Sequence, residues 1–269
     1  MQDAPYPCFV KIIFHPLMQR SYDSTPAGAP GRIDSAIEVL RSQPEMQFVE
    51  PKPATEKQVL LAHTPGLIED VRQDADSRDG LLYQMAALAA GGAILTAETA
   101  VSGEPAFGLI RPPGHHSSRN SYWGYCYFSN MAIALLSLRS RGLIKSAFIL
   151  DFDLHVGDGT INVLGDDKAF TIHNPSAKGD KAYLQDVKKA LDASPEVDII
   201  AASAGFDEYV HCWGKNLSTD AFKRIGLMMY EFANERCEGR RFGILEGGYN
   251  HKDLGMNILA FCRGLLGEE

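Results

Sequence analysis

The chain has 269 residues, 45% of them hydrophobic and 22% charged, which suffices to bury a core without covalent staples and is too apolar for a disordered segment. A formal net charge of -8 disfavours direct nucleic-acid binding and mildly favours cationic ligands. Five cysteines (Cys8, Cys126, Cys212, Cys237 and Cys262) are scattered and form no CxxC pair; together with the lack of a basic leader or an uninterrupted membrane-spanning apolar run, they point to reduced thiols, no membrane role and a cytoplasmic setting.

From the N-terminus, residues 9–14 read as a strand, 33–41 as a helix, 81–101 as a long helix and 106–110 as a second strand. A helix over 130–141 precedes strands at 147–151 and 170–172, then a helix at 181–191 and a strand at 197–201. A helix over 221–237, a strand at 242–245 and a helix at 254–265 complete the series. Strands rich in β-branched and aromatic residues alternating with helical periodicity predict one α/β domain over 1–269: an open, mostly parallel sheet with helices on both faces.

The chemically distinctive residues fall where these strands end. Strand 106–110 runs into Arg111-Pro-Pro-Gly-His115-His116, and strand 147–151 into Asp153 and His155. Strand 197–201 leads to Ser203-Ala-Gly-Phe-Asp207, and strand 242–245 to Glu246-Gly-Gly-Tyr249. Open α/β sheets bind ligands outside the carboxyl ends of their strands, so four segments deliver polar groups to one rim.

Within Asp151-Phe-Asp153-Leu-His155-Val-Gly-Asp158, the period of two puts Asp151, Asp153 and His155 on one side. A carboxylate and an imidazole pointing together make part of a metal site, and Asp207 is the best third ligand. The plainer alternative is a polar strand terminus with a capping role. His115 and His116 follow a stiff Pro-Pro turn, and each has a carboxylate available, Asp151 and Asp158 respectively, to orient it for acid–base work. Gly247 and Gly248 would let the backbone approach a ligand and aim the Tyr249 hydroxyl at a developing oxyanion. His15, His63, His211 and His251 lack clustered partners and read as surface or packing residues; His173 is intermediate, and Cys126 reads as a packed thiol within an aromatic run.

In order along the chain, Arg111-Pro-Pro-Gly-His-His116, Gly124-Tyr-Cys-Tyr-Phe-Ser-Asn130, Asp151-Phe-Asp-Leu-His-Val-Gly-Asp-Gly159, Ser203-Ala-Gly-Phe-Asp207 and Glu246-Gly-Gly-Tyr-Asn250 resemble the signature blocks of the histone deacetylase family. That family includes acetylpolyamine amidohydrolases and acetoin-utilisation proteins and has an arginase/deacetylase-like fold. The last two blocks look more like its class II and prokaryotic branches. The resemblance runs from about Leu81 to the C-terminus and is looser before it. It implies a zinc-dependent deacylase acting on an acylated amine or acyl-lysine peptide, with zinc on Asp153, His155 and Asp207 and ferrous iron as the alternative metal. It further implies His115 and His116 as the acid–base pair backed by Asp151 and Asp158, Tyr249 on the scissile carbonyl, and Gly124 and Tyr125 lining the channel. A structural potassium ion is implied near Asp151, Asp153, His155, Thr171 and Ile172.

Two segments depart from the family pattern. The stretch after His173 reaches the next helix almost at once, and the stretch between Val71 and Leu81 is short. The latter should supply an acidic residue to grip the substrate, with Asp74, Asp76 and Asp79 available, while Glu208 either reads a distant ammonium or is simply solvent-exposed. Both shortenings predict a shallower or wider entrance, suited to small substrates or completed by a second subunit. A two-metal ureohydrolase is disfavoured because only one aspartate, Asp207, follows the late strand. A catalytically silent acyl-amine binder should lack a ligand, histidine or tyrosine, and none is missing.

Overall fold

The segments Ala147–Asp151, Ile200–Ala204 and Arg241–Leu245 are buried along their whole length, with none of the alternation of a half-exposed sheet. Such runs belong in a parallel sheet covered on both faces. The computed structural model describes residues 9–75, 77 and 80–269 and places them so. The strands are β1 (Val10–Ile13), β2 (Met46–Val49), β3 (Ala106–Gly108), β4 (Ala147–Asp151), β5 (Phe170–His173), β6 (Ile200–Ala204) and β7 (Arg241–Leu245). They form a 7-stranded sheet in the order β2-β1-β3-β7-β6-β4-β5, every pairing parallel.

Helices cover both faces. They are α1 (Asp34–Arg41), α2 (Glu56–Val59), α3 (Pro65–Arg72), α4 (Leu81–Val101), α5 (Asn130–Ser140), α6 (Asp158–Leu164), α7 (Asp180–Asp192), α8 (Thr219–Arg236) and α9 (Leu254–Leu265). One group gathers around α4 and α5; in the other, α1 and α8 pack on α9, and α7 packs on α8. By length and mean hydropathy (1.3) α4 would cross a bilayer, but 78% of that stretch is buried inside the protein, where it serves as the central core helix against β1, β3, β7 and α5. Beneath the sheet's carboxyl rim, Phe107, Phe152, Phe206, Phe222 and Phe261 form an apolar floor with ring centroids 4.9–6.4 Å apart. Phe152 lies between Asp151 and Asp153 in the chain, and Phe206 immediately precedes Asp207, so the rings that build the floor also anchor the polar groups above it.

The strand expected over 197–201 lies at Ile200–Ala204 instead. Residues ahead of it serve a different purpose, since the Asp198 carboxylate accepts the backbone N–H groups of Lys145 and Ser146 at the mouth of β4. The strand itself is Ile-Ala-Ala-Ser-Ala, whose small side chains make room for the phenylalanine floor. Three elements have no counterpart in the predicted series besides the short α2: edge strand β2, which pairs only with β1; α3, capped by Thr64 with proline in its first turn; and α6, whose Gly, Thr and Ile content favours helix weakly.

His63 is a packing residue, as expected, with both ring nitrogens engaged. Nδ1 lies 2.9 Å from the Ser118 carbonyl and Nε2 accepts the Ser129 N–H at 2.9 Å, an arrangement that requires the neutral ring. Burial pushes its pKa down from 6.5 to about 4. A depressed folded-state value means that this stabilisation is complete above pH 6.5 and is lost as pH falls towards 4, an effect of about 3 kcal/mol at about 1.4 kcal/mol per pH unit. Urea midpoints should therefore fall more steeply from pH 6.5 to 4 in the wild type than in His63→Gln; parallel slopes would contradict it.

Candidate active site

The strand order puts β3, β7, β6 and β4 side by side, so their carboxyl ends converge. From β3 come His115 and His116, from β7 Gly247 and Tyr249, from β6 Asp207, and from β4 Asp151, Asp153 and His155. Residues Pro113, His115, His116, Trp123, Gly124, Tyr125, Asp153, His155, Trp213, Gly247 and Tyr249 enclose a pocket of about 130 Å³.

At its base, the potential ligand atoms of Asp153, His155 and Asp207 lie within 4.8 Å of one another. His155 Nδ1 is 3.3 Å from Asp153 Oδ1 and 3.5 Å from Asp207 Oδ2. Donors bound tetrahedrally at zinc distances sit about 3.4 Å apart, so the three residues present the spacing such an ion needs. Asp207 Oδ1 accepts the Leu154 N–H at 3.1 Å, whereas its buried Oδ2 receives no hydrogen bond. Asp153 is steadied by the N–H groups of Gly247, at 2.8 Å, and His155, at 3.0 Å. Burial and then the Asp153 charge push the Asp207 carboxyl up, while the adjacent Asp153 and Asp207 carboxylates hold His155 well above its ordinary value. A buried pair of carboxylates with an unpartnered oxygen is a site made for a cation. The residues fit zinc.

The two histidines stand beside this cluster, their rings 4.1 Å apart. His115 Nδ1 is 3.2 Å from Asp151 Oδ2, and His116 Nδ1 is 2.6 Å from Asp158 Oδ1, the pairing expected from the sequence. Their environments differ. Burial alone would depress His115, but the charges of Asp153, Asp151 and Glu246 outweigh it and hold the imidazole well above its ordinary range. Burial and the neighbouring His115 push His116 down, against the pull of Asp158. The two rings thus differ in surroundings, His115 among buried carboxylates and His116 beside one half-exposed carboxylate.

The tight turn from Trp123 to Cys126, closed by the Cys126 N–H on the Trp123 carbonyl at 3.0 Å, places Gly124 and Tyr125 on the pocket wall. Its two central residues have φ of 60° and 67°, and at Gly124 a side chain would come within 2.5 Å of the His116 ring. Tyr125, a non-glycine residue, holds this left-handed conformation at a cost of about 1–2 kcal/mol. Tyr249 stands opposite, 6.3 Å from the Tyr125 ring and stacked on Trp213 at 4.1 Å. Burial raises its hydroxyl pKa far above the ordinary value, so it remains an O–H donor.

Several residues the sequence did not single out complete the site. Arg32, fully buried in the N-terminal third, donates to the Glu246 carbonyl and to the Gly248 carbonyl at 3.1 Å, and its guanidinium lies 5.0 Å from the Tyr249 ring. The Glu246 carboxylate accepts the N–H groups of Gly114, at 2.6 Å, and His115, at 3.2 Å, tying the β7 turn to the histidine turn. Trp213 walls the pocket opposite Trp123. Glu246 stands in a strand-end motif, but Arg32 and Trp213 carry no local signal; Arg32 and Gly248 are 216 residues apart.

Other expectations are redirected. Glu208 does not read a ligand at the mouth: it is 3% exposed, lies outside the pocket lining and faces Lys178 at 4.0 Å. Gly248 turns the chain at φ 124° behind the pocket rather than lining it. Of the three acids considered for gripping the substrate, Asp74 accepts the Tyr122 hydroxyl at 2.6 Å, while Asp76 and Asp79 lie outside the described residues. Thr171 and Ile172 sit on β5, opposite Phe148 and Ile149 of β4. His173 pairs with Asp186 at 3.3 Å, away from the pocket. Cys126 is a buried thiol 3.5 Å from the Gly124 carbonyl, as expected. The entrance is open, with 46% of the His155 side chain exposed and Trp123 and Trp213 about half exposed at the rim.

Comparison with known proteins agrees with this geometry. The histone deacetylase domain model matches residues 27–177, which takes in both histidines, Asp153, His155 and Asp158. The chain is 29% identical to a probable deacetylase of Methanothermobacter thermautotrophicus across 89% of its own length and 85% of that protein's. It is 25% identical to the histone deacetylase-like amidohydrolase of Pseudomonas aeruginosa, covering 81% and 70% respectively. It is also 26% identical to the polyamine deacetylase HDAC10 of Danio rerio, covering 89% of this chain and 44% of that one. The crystal structure of the HDA15 HD domain superposes with a TM-score of 0.82 at 22% identity over 97% of this chain and 89% of that one, which establishes the shared fold. With more than half its length matched by the family model and the whole sheet shared, the chain belongs to the histone deacetylase family.

Proposed function

We propose that the protein is a zinc-dependent deacylase that hydrolyses the amide of a small N-acyl amine or an acylated lysine side chain. The observation that carries this reading is the Asp153–His155–Asp207 cluster, with donor spacings of 3.3 and 3.5 Å, facing a pair of histidines that each hold a carboxylate at Nδ1. Ferrous iron is the alternative occupant of the same donors. A bound zinc ion supplies Lewis-acid polarisation of the amide carbonyl and brings the pKa of a water to about 7.

The protein's own groups do the rest. His116, with Nδ1 occupied by Asp158, accepts the water's proton at Nε2 as the water attacks the carbonyl carbon. The Tyr249 hydroxyl donates to the oxyanion that forms. His116 then delivers the proton to the departing nitrogen as the C–N bond breaks, so one amide and one water give one carboxylate and one amine. The half-exposed rim and the acidic surface suit small cationic acyl amines, and the Danio rerio relative named a polyamine deacetylase supports acetylpolyamines as a class to test beside acetyl-lysine. A potassium ion near Asp151, Asp153, His155, Thr171 and Ile172 belongs to the same proposal.

The test is acetate release from an acetyl-lysine peptide, acetylputrescine and acetylspermidine, before and after chelation and after zinc is restored. Release that disappears with the metal and returns with it supports the reading; no release from any of the three by protein carrying stoichiometric zinc overturns it. In the same assay Tyr249→Phe should lower kcat by roughly 10²–10³-fold, the usual loss when one oxyanion donor is removed.

A further inference from the structure

We propose that Trp123 is a positioning residue for His116, holding the imidazole and its carboxylate partner as one unit; the assignment rests on the deacylase reading above. The indole Nε1–H donates to Asp158 Oδ2 at 3.0 Å while the other oxygen, Oδ1, lies 2.6 Å from His116 Nδ1. The indole ring also lies 4.0 Å from the His116 ring at 35°, so one side chain meets the base by its face and the base's partner by its edge.

The need for such a clamp follows from exposure. Asp151, behind His115, is fully buried and kept in place by packing, whereas the Asp158 side chain is 51% exposed. An exposed carboxylate rotates and exchanges its partners with water, and a hydrogen bond to it competes poorly with solvent. The Gly159 N–H holds Oδ1 at 3.0 Å, and Trp123 on Oδ2 supplies the second point that fixes the carboxylate plane with Oδ1 facing the imidazole. That orientation sets the His116 tautomer and points Nε2 into the pocket. The backbone is arranged for the same end: the left-handed Gly124–Tyr125 pair folds Trp123 back over the ring, and Gly124 has no side chain to obstruct it. Trp123 itself is 54% exposed, so burial in the core does not account for its place.

The chain has only two tryptophans, Trp123 and Trp213, so its indole N–H region in a proton–nitrogen NMR spectrum holds two signals. In metal-free wild-type protein, the signal lost in Trp123→Phe should lie downfield and exchange slowly, and should move to the free-indole position in Asp158→Ala, which has no side-chain acceptor. In kinetics at equal zinc content, Trp123→Phe, which keeps an aromatic face and loses the N–H, should lower kcat about tenfold with KM unchanged. On the Asp158→Ala background the same substitution should cost nothing further, because the two residues act through one hydrogen bond. A Trp123 signal at the free position, an unchanged kcat, or a loss that simply adds to that of Asp158→Ala would each overturn the proposal. If wild-type protein with zinc bound is inactive, the deacylase reading falls and the assignment with it, whereas an active wild type with an undisturbed Trp123→Phe removes only the assignment.

Discussion

Replacing Asp207 by asparagine is expected to abolish zinc uptake and lower kcat/KM by roughly 10³-fold or more, while leaving the metal-free protein at least as heat-stable as the wild type. The two outcomes have opposite signs for one reason. Asp207 and Asp153 are each 1% exposed at the side chain, and both face His155. Without a cation, burial and the Asp153 charge oppose ionisation of Asp207. Asparagine removes that repulsion at nearly the same volume and keeps an oxygen for the Leu154 N–H. With zinc the balance reverses, since ligand binding to the folded state adds about 2.7 kcal/mol at 100 times Kd in the wild type and little in the variant. Thermal melts in chelator and in excess zinc, paired with elemental analysis, test this directly. A variant that retained stoichiometric zinc and activity would remove Asp207 from the ligand set.

Gly247→Ala is expected to be nearly as damaging, lowering kcat/KM by 10²-fold or more, though it adds a single methyl group. That methyl would lie 2.5 Å from Asp207 Oδ2 and 2.6 Å from Asp153 Oδ2. The backbone there has little freedom to retreat. The Gly247 carbonyl accepts the Phe206 N–H at 3.1 Å, and Arg32 holds the carbonyls on either side. The two carboxylates must therefore give way, and the spacing that suits a metal goes with them. Overpacking of this kind costs about 1–3 kcal/mol of stability, so the fold should survive. Reduced zinc content in a folded, cooperatively melting variant is the expected result; normal zinc content and kcat would show that the turn yields more than its hydrogen bonds indicate.

Glu246, Arg32 and Trp123 illustrate why part of the site was legible and part was not. Asp153, His155, Asp207, His115, His116 and Tyr249 each stand in a short motif at a strand end, where residue type and spacing indicate chemistry directly. Arg32 lies in a turn-rich segment with nothing to mark it, and its partners are brought to it only by folding. Glu208 shows the converse: a carboxylate next to a candidate ligand looks available in sequence, yet the Gly214 turn packs over it and leaves it buried. The displaced β6 has a similar cause. Val197, Ile199 and Ile200 look more strand-like than Ala201 to Ala204, but the phenylalanine floor requires small residues where the sheet passes over it.

What the sequence determined by itself is the chemistry and the layering. Donor types, the two histidines with their carboxylates, and unalternating apolar strands follow from local composition and period, because a strand end or a tandem pair is a short-range object. Tertiary structure alone decided which strand ends meet. The order β3-β7-β6-β4 sets β3 beside β7, the last strand of the chain, and β6 beside β4, and no local preference encodes that adjacency. It also decided exposure, leaving His155 half exposed, burying Asp151, and bringing the Trp123 indole against both His116 and Asp158. Those distinctions arise from how much solvent each group loses when distant segments pack, which is a property of the assembled fold.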